Sequence, residues 1–498
     1  MIKTSSSQLS IEGFLDPEIG RLNPENRWVK LANSIPWAEL GLVYESKMST
    51  GKGSPCKPAR LVIGALIVKH KLNVSDAEAI EQIKENPYLQ YFVGLGSFTT
   101  EKAFDPSLFT TVRKRLGYGD FNRMSSLLQH EGIRIAEGDR DEGSKDGHSG
   151  DAEDDKRVVS CDATVAPQEI PYPTDLGLLA TARVQSEKII DLLWPVARDS
   201  GLSKKPRTYR DKAHREYVGA TRKKRKGAEF WRVCARRQLN YLERNLRHID
   251  SLIEANKGVI RLKSRFLKIL MVLHEIARQQ SLMLETGANR VDGRIVNVFQ
   301  PHVRPIVRGK NGSDTEFGAK LSVSLHEGYS YLDKAQWDAY YEGDAEVIRG
   351  HIDSFGERNP EMKLGKFVGD KIYGNRNARQ TMSGAGVEFV GSPLGRPPSS
   401  PEKIRERKEN RTLHQRHRSR AEGKFGEVKR GHGLDKIQAR RADTSLSWIA
   451  CIFFVSNLKR FQSEIFFDLV FLSWKYGIWL QDGEKKQEKT VWQNILAG

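Results

Sequence analysis

Three acidic residues, Asp162, Asp370 and Glu422, have the type and the setting of metal-binding carboxylates. Asp162 follows the run Val-Val-Ser-Cys, Asp370 follows Lys-Phe-Val-Gly, and Glu422 lies in a strongly basic stretch. Mg²⁺ prefers oxygen ligands and needs only a few carboxylates besides water and substrate phosphate oxygens. Two such ions about 3.5–4 Å apart can activate a water or a 3′-hydroxyl and stabilise the leaving oxygen of an in-line displacement. If the fold brings the three acids together, they predict phosphodiester chemistry at two divalent ions, Mg²⁺ or Mn²⁺.

Each acid also has an ordinary structural interpretation when it is taken alone. Asp162 fits the end of a strand or a turn. Asp370 fits the N-cap of a helix, where an aspartate oxygen accepts a backbone N–H. Glu422 fits an internal salt bridge on a solvated basic helix. Only the order of all three within one set of elements favours the metal site.

The segment around Glu422 is expected to be a helix that presents cations beside this carboxylate. Arg418 lies four residues before Glu422, and Lys429 lies seven residues after it. At about 100° per residue, these offsets place the two cations about 40° and about 20° from Glu422, on one helix face. Glu427 would project about 140° away. The spacing therefore predicts that Glu422, and not Glu427, is the functional carboxylate.

The elements that must position the acids occur in the order of a mixed α/β domain. β-branched runs bounded by turn residues predict strands, and apolar residues at helical spacing predict a long helical hairpin after the first of them. The predicted strands are 157–167, 293–299, 303–308, 318–325, 366–370 and 387–391, and the helical insertion is 176–288. Five of these strands, three in succession and then one after each of two helical segments, followed by a final helix, have the order of an RNase H-like core, a mixed sheet flanked by helices. Asp162 then lies on the first strand and Asp370 at the end of the fourth, its neighbour in that fold.

Composition divides the chain into four segments. Helical apolar spacing from Pro58 to Leu116 predicts an all-helical, DNA-binding N-terminal domain, although an ordinary helical bundle fits as well. A run of charged and small residues that can bury almost nothing predicts a flexible acidic linker. The predicted segments are the N-terminal domain 1–136, the linker 137–156, the catalytic domain 157–465 and a C-terminal tail 466–498.

The overall charge points to a polyanionic partner. The 498 residues carry a net charge of +18, which favours nucleic acid over a membrane surface. The four cysteines are far apart in sequence, which argues against a zinc finger and fits a reducing compartment. No segment has the apolar length of a membrane span. The chain is therefore expected to be a cytoplasmic protein that binds DNA or RNA and no membrane.

Four motifs together resemble those of bacterial insertion-sequence transposases of the Asp-Asp-Glu (DDE) class. The resemblance covers residues from about 58 to 460 and rests on Cys161-Asp-Ala-Thr-Val-Ala-Pro, Ile306-Val-Arg-Gly-Lys-Asn-Gly-Ser, Gly369-Asp-Lys-Ile-Tyr-Gly-Asn-Arg and Arg418-Ser-Arg-Ala-Glu-Gly-Lys-Phe-Gly-Glu-Val-Lys-Arg. One large group of these enzymes carries the signature Tyr-x2-Arg-x3-Glu-x6-Lys on its last catalytic helix. Arg418, Glu422 and Lys429 fall on its Arg, Glu and Lys, whereas Gln415 replaces its Tyr.

The resemblance implies that Asp162, Asp370 and Glu422 are the catalytic triad that binds two Mg²⁺ or Mn²⁺ ions. Contacts to DNA phosphates are expected from Arg418, Lys429, Arg420, Lys424, Arg430 and Lys371. The implied function is a transposase that binds the terminal inverted repeats of its own element, cuts them by hydrolysis and joins the 3′-hydroxyl ends to target DNA. Because two ends must be processed together, a homodimer or a larger synaptic complex on double-stranded DNA is expected, at the nucleoid.

The alternative is a non-catalytic DNA-binding protein derived from an inactive transposase. The presence of all three acids argues against decay at the site itself. The basic run at 221–226 fits a DNA contact and a solvated helix face equally well.

Overall fold

The computed structural model of the chain describes residues 22–49, 55–138, 156–223, 227–256, 262–307, 315–395 and 400–475. Over these residues it is a mixed α/β structure in which helices surround one six-stranded sheet. The mixed α/β class expected from the sequence is therefore confirmed. None of the described helices has the length and apolarity that crossing a membrane requires.

Helices form the amino-terminal part of the described chain. They are α1 (Arg27–Ser34), α2 (Trp37–Glu45), α3 (Ala59–Leu72), α4 (Asp76–Glu85), α5 (Pro87–Phe92), α6 (Ser107–Arg115) and α7 (Tyr118–Gly138). Capping residues set several of their starts. The Ser75 hydroxyl accepts the N–H of Glu78 at the start of α4, and the Asn86 side chain accepts N–H groups of α5, which begins with a proline.

The sheet combines antiparallel and parallel pairs. Its strands are β1 (Val158–Pro167), β2 (Arg304–Val307), β3 (Thr315–His326), β4 (Tyr329–Gln336), β5 (Lys366–Gly369) and β6 (Glu388–Val390). Their order is β2-β3-β1-β5-β6, with β4 also paired to β3. β3 runs antiparallel to β1, β2 and β4, whereas β5 runs parallel to β1 and β6. The long β1 is therefore central, with β3 on one side and β5 on the other.

Two strand predictions need correction. Residues 293–299 do not form a strand, because side chains rather than a neighbouring strand bind their backbone: Gln279 accepts the N–H of Ile295, and Asn297 accepts that of Phe299. Strand β4 was not predicted, although Glu327 and Gly328, both with positive φ, form the tight turn that joins it to β3. Because β4 precedes it, Asp370 follows the fifth strand in chain order instead of ending the fourth, and it remains beside β1.

Four helices, and not a simple hairpin, lie between β1 and β2. They are α8 (Asp175–Asp199), α9 (Arg210–Arg222), α10 (Ala228–Ala255) and α11 (Ser264–Thr286). The apolar stripe that predicts α10 is buried at Leu239, Leu242 and Ile249, where it packs in a cluster with α8 and α11. The insertion therefore has a hydrophobic cluster of its own. Of the basic run 221–226, residues 224–226 lie outside the described residues.

The remaining helices complete the core beside the sheet. They are α12 (Ala345–Arg358), a 3₁₀ helix (Lys371–Gly374), α13 (Arg376–Gly384), α14 (Pro401–His432) and α15 (Ala442–Lys475). On α15, residues such as Ile449, Ile452 and Phe453 are almost fully buried in one cluster with the amino-terminal helices and with β3 and β4. One hydrophobic core thus joins the N-terminal helices to the sheet.

The predicted linker and tail fall partly outside the description. Residues 139–155 of the linker and 476–498 of the tail lie outside the described residues. Helix α7 continues to Gly138, and residues 466–475 of the tail continue α15.

Candidate active site at the ends of strands β1 and β5

Asp162 and Asp370 come from neighbouring parallel strands. β1 and β5 are paired so that Cys161 lies opposite Gly369, and the two aspartates are the next residues along each strand. Because adjacent strands lie about 4.8 Å apart, this register places the two carboxylates side by side. About 200 residues of sequence separate them, so the pairing depends entirely on the sheet.

Backbone N–H groups fix one oxygen of each aspartate. Oδ1 of Asp162 accepts the N–H of Ala163 at 2.7 Å, and Oδ1 of Asp370 accepts the N–H of Lys371 at 2.6 Å. Asp370 therefore caps the 3₁₀ helix that follows it. The capping role and a role in the cleft are compatible, because a carboxylate offers two oxygens with several lone pairs.

Helix α14 brings Glu422 to the same place. The ring Nε2 of His414 donates to the carbonyl of Gly369 at 3.1 Å, which anchors the helix over the end of β5. Ala421 and Val428 are buried, and Leu413 packs against the sheet. Glu422 follows the buried Ala421, so it stands at the edge of this apolar stripe with 61% of its side chain exposed.

The three acids line one cleft of about 710 Å³. The cleft is lined by Asp162, Ala163, Thr164, Val165, Ile306, Val307, Lys320, Glu342, Asp370, Ile372, Tyr373, Arg418, Glu422, Phe425, Gly426, Lys429, Arg430 and Asp435. Glu427 lies on the other side of α14 and lines a different cavity. As the helical spacing predicts, Glu422 and Glu427 therefore lie on different sides of α14.

Arg418 bridges two of the acids. Its Nε is 3.0 Å from Oε1 of Glu422, and its Nη1 is 3.5 Å from Oδ1 of Asp370. The hydrogen bond to Glu422, then the charges of Asp370 and Asp162, raise the pKa of Arg418 above its ordinary value. One guanidinium therefore stands among all three carboxylates.

The donor set fits hard divalent ions. All three candidate ligands supply carboxylate oxygens, the donors that Mg²⁺ and Mn²⁺ prefer. Across the part of the chain that the structure describes, no three His, Cys, Asp or Glu side chains converge as a ready-made site for a single ion. Two ions do not need three protein ligands at one position, because each ion can bind one or two carboxylates and complete its coordination shell with water and phosphate oxygens.

The cations expected to contact DNA are divided between the two sides of α14. Lys429 and Arg430 line the cleft with Arg418, and Lys429 lies 3.9 Å from Glu316. Lys371 is exposed beside Asp370. Arg420 and Lys424 line the opposite cavity, because each is about 160° from Glu422 around the helix. The structure therefore does not bring Arg420 and Lys424 to the acids. The same angular argument could have shown from the sequence that they face away from Glu422.

A buried hydrogen-bonded chain behind the cleft has the residue types of a serine hydrolase triad. Nδ1 of His351 lies 2.6 Å from Oδ2 of Asp333, and Nε2 lies 2.7 Å from Oγ of Ser322. Arg358 completes the group with a 2.8 Å ion pair to Asp333. Ser322 and His351 are at most 1% exposed, so no substrate reaches the serine. Sequence reasoning did not find this group, because its members lie on three separate elements.

Sequence reasoning also missed two other features of the cleft. Lys320 on β3 forms a 2.7 Å ion pair with Glu342, and both line the cleft. Tyr373, three residues after Asp370, is 1% exposed, and burial raises the pKa of its hydroxyl well above the ordinary value. Its position so close to Asp370 was the only available signal.

Two family models match the chain. Residues 18–115 match a model described as "Transposase domain (DUF772)", and residues 367–459 match one described as "Transposase DDE domain". A protein of Rhizobium meliloti described as "Uncharacterized protein ORF8 in nfe locus" is 30% identical over 162 residues, which are 32% of this chain and 71% of that protein. The chain belongs to the DDE transposases of insertion sequences. No solved structure matches it.

The two matched segments cover different parts of this transposase. The DDE segment contains Asp370, Glu422 and the whole of α14, whereas Asp162 on β1 lies outside both matches. The amino-terminal match covers helices α1 to α6. Membership of this family implies a transposase function and DNA as the substrate, and the family generally uses divalent metal ions.

Proposed function

We propose that this transposase binds the terminal inverted repeats of its own element, cuts them by two-metal hydrolysis and joins the 3′-hydroxyl ends to target DNA. The observation that carries the proposal is the parallel pairing of β1 with β5, which sets Asp162 beside Asp370 beneath Glu422. The strand order supports an RNase H-like core. The central strand β1 has the antiparallel β3 on one side and the parallel strands β5 and β6 on the other.

In this proposal Asp162, Asp370 and Glu422 hold two divalent ions, Mg²⁺ or Mn²⁺. When bound, such ions activate the attacking water or 3′-hydroxyl and stabilise the leaving oxygen. The backbone N–H bonds to Asp162 and Asp370 keep their carboxylates oriented without involving the other oxygen. Glu422, which is more exposed, completes the site from the helix.

The cations of the cleft position DNA. Arg418, Lys429 and Arg430 line the cleft with the acids, and their side chains can contact the phosphates next to the scissile bond. Arg418, which pairs with Asp370 and Glu422 in the structure, would contact a phosphate in their place. Lys371, which is exposed next to Asp370, adds a further contact. Two element ends must be processed together, so the active form is a homodimer or a larger synaptic complex at the nucleoid.

The test compares Asp162→Asn, Asp370→Asn and Glu422→Gln on labelled duplexes that contain the element ends. Each variant should lose cleavage and joining by at least about a hundredfold, because a missing ligand displaces the scissile phosphate from the ions. DNA binding measured in EDTA should remain within a few-fold of the unaltered protein. Binding of Mn²⁺, followed by electron paramagnetic resonance, should weaken in all three variants.

The matched control is Glu409→Gln, an exposed carboxylate on the same helix that pairs only with Arg405 among the described residues. It should cleave at the normal rate. Normal cleavage by Asp162→Asn would refute the triad. An unaltered protein that binds the ends but never cuts them would favour the non-catalytic alternative.

A further inference from the structure

A second cavity lies on the side of α14 that faces away from the acids. It measures about 660 Å³ and shares no lining residue with the cleft. We call it the rear pocket, and it is lined by Lys156, Val158, Leu325, Glu327, Gly328, His417, Arg420, Lys424, Glu427, Lys459, Arg460 and Ser463. Helices α14 and α15, the start of β1 and the β3–β4 turn form its walls.

The rear pocket is strongly basic. Five lysine and arginine side chains line it, against the two carboxylates of Glu327 and Glu427. Glu427 is shared: its Oε1 lies 3.6 Å from Nζ of Lys459, and its Oε2 lies 3.6 Å from Nζ of Lys424. Arg460 pairs with Glu464 at 3.0 Å, but one carboxylate divided between Lys424 and Lys459 leaves part of their positive charge uncompensated, which attracts an anion.

Lys424 gives the pocket a buried cation. Its side chain is 8% exposed, and among the described residues Nζ donates one hydrogen bond, to the carbonyl of Ser456 at 3.1 Å. Burial lowers the pKa of Lys424 to about 8, against the opposing effect of Glu427. An ammonium group has three donors, and the 3.6 Å separation from Glu427 is too long for a normal hydrogen bond. An anion in the pocket would supply the missing acceptor.

The basic surface extends beyond the pocket, which favours a polymer over a small ion. Arg416 is exposed one helical turn before Arg420 on the same face of α14. Lys459 is 70% exposed at the opposite wall, on α15. Within the described residues, Arg420 is exposed and forms no ion pair. Two exposed arginines one helical turn apart, beside a lysine-lined pocket, suit successive phosphates of a DNA backbone.

We propose that the rear pocket binds the phosphodiester backbone of a second DNA duplex, separate from the duplex whose bond lies at Glu422. Arg420 and Glu422 project about 160° apart around α14, so one straight duplex in the cleft does not reach the rear pocket. The ligand class rests on the proposed function, but the inference does not require that the protein cuts DNA. Each protomer would then hold two duplexes on opposite sides of one helix.

The experiment uses the full chain with Asp162→Asn, in EDTA, so that neither cleavage nor metal binding affects the result. Affinity for a duplex of unrelated sequence is measured by fluorescence anisotropy between about 50 and about 300 mM salt, because log affinity falls linearly with log salt in proportion to the number of phosphate contacts. The number of duplexes bound per protomer is measured by analytical ultracentrifugation. Arg420→Ala with Lys459→Ala is the test variant, because both side chains are exposed and their loss should leave the fold intact.

The test variant should bind one duplex per protomer where the parent binds two. The slope of log affinity against log salt for the weaker site should fall by about 1.8, or about 0.9 for each lost phosphate contact. Arg430→Ala, on the cleft side of the same helix, is the matched comparison and should leave two duplexes bound with weaker affinity for one of them. An unchanged slope and unchanged stoichiometry in the test variant would overturn the proposal.

A small-anion site is a distinguishable outcome. Inorganic phosphate would then raise the thermal midpoint of the parent but not of the test variant, and both would bind the same number of duplexes. That result would also overturn the proposal of a second duplex. Loss of the proposed cleavage function would leave these binding measurements unchanged, so the two proposals fail separately.

Discussion

At the scale of single residues, Arg418 places a positive charge among the three carboxylates of the cleft. It contacts Glu422 and Asp370 on the surface of the cleft, with 52% of its own side chain exposed. Exposed ion pairs contribute about 0–1 kcal/mol to stability. In the proposed function, the arrangement therefore matters less for folding than for the charge that a metal ion or a phosphate would meet in the cleft.

Replacing Arg418 by alanine should separate these roles. The thermal midpoint should change little, whereas Mn²⁺ binding without DNA should become tighter, because a competing cation has been removed from the carboxylates. Cleavage of end duplexes should slow, because a charge-assisted phosphate contact worth about 1.5–3 kcal/mol is lost. Arg418→Lys should recover only part of that rate, since lysine lacks the planar fork. Unchanged metal affinity and an unchanged cleavage rate would remove Arg418 from the site.

At the scale of elements, buried polar bonds hold α12 against the sheet behind the cleft. Asp333 on β4 contacts His351 and Arg358, both on α12, and His351 also contacts Ser322 on β3. Burial by itself would raise the pKa of Asp333, but the charge of Arg358 and the hydrogen bond from His351 keep that pKa below its ordinary value. A buried carboxylate paired in this way is costly to remove, because its partners stay behind.

Asp333→Asn should lower the free energy of unfolding by about 3–5 kcal/mol at neutral pH. Because the folded pKa of Asp333 lies below the unfolded value of about 3.9, its contribution is complete above that pH and disappears as the pH falls through the folded pKa. The difference in unfolding free energy between the two proteins should therefore be constant from pH 5 to 7 and shrink below about pH 4. Denaturant titrations at several pH values measure it. A difference that grows on acidification would contradict the sign of the shift.

At the scale of the whole molecule, Trp448 on α15 links the amino-terminal helices to the segment that matches the DDE domain. Nζ of Lys69 lies 3.9 Å from its ring centroid, and Cζ of Arg113 lies 4.3 Å from it. Asp76 pairs with both cations, at 3.5 Å and 2.6 Å. Burial lowers the pKa of Lys69 to about 8, and Asp76 opposes that effect. Cations stacked on an aromatic ring and paired to one partly exposed carboxylate fix how the two regions pack.

Trp448→Ala should destabilise the protein by about 3–5 kcal/mol through the cavity and the lost cation–π contacts. Because one hydrophobic cluster spans the amino-terminal helices, β3, β4 and α15, these regions should lose hydrogen-exchange protection together. Helices α8 to α11 pack around a separate cluster and should keep their protection longer. Trp448→Phe, which retains a ring, should lose less stability. Loss of protection confined to the amino-terminal helices would show that the two regions unfold independently.

The sequence by itself determined those features that depend only on local geometry and on residue chemistry. The 3.6-residue period relates Arg418, Glu422 and Lys429 whatever surrounds them, and the apolar stripe of α10 is visible without its partners. The net charge of +18 indicates a polyanionic partner before any fold is known. The same angular argument, applied to Arg420 and Lys424, already separates them from Glu422.

Only the tertiary structure decided which distant residues meet. The register that sets Asp162 beside Asp370 depends on parallel pairing across a four-helix insertion, and no local propensity encodes such a pairing. The burial of Lys424 depends on where α15 packs, and residues 293–299 lose their strand because the side chains of Gln279 and Asn297 bind their backbone. Strand propensity and charge are properties of the segment, whereas pairing and burial are properties of what folds against it.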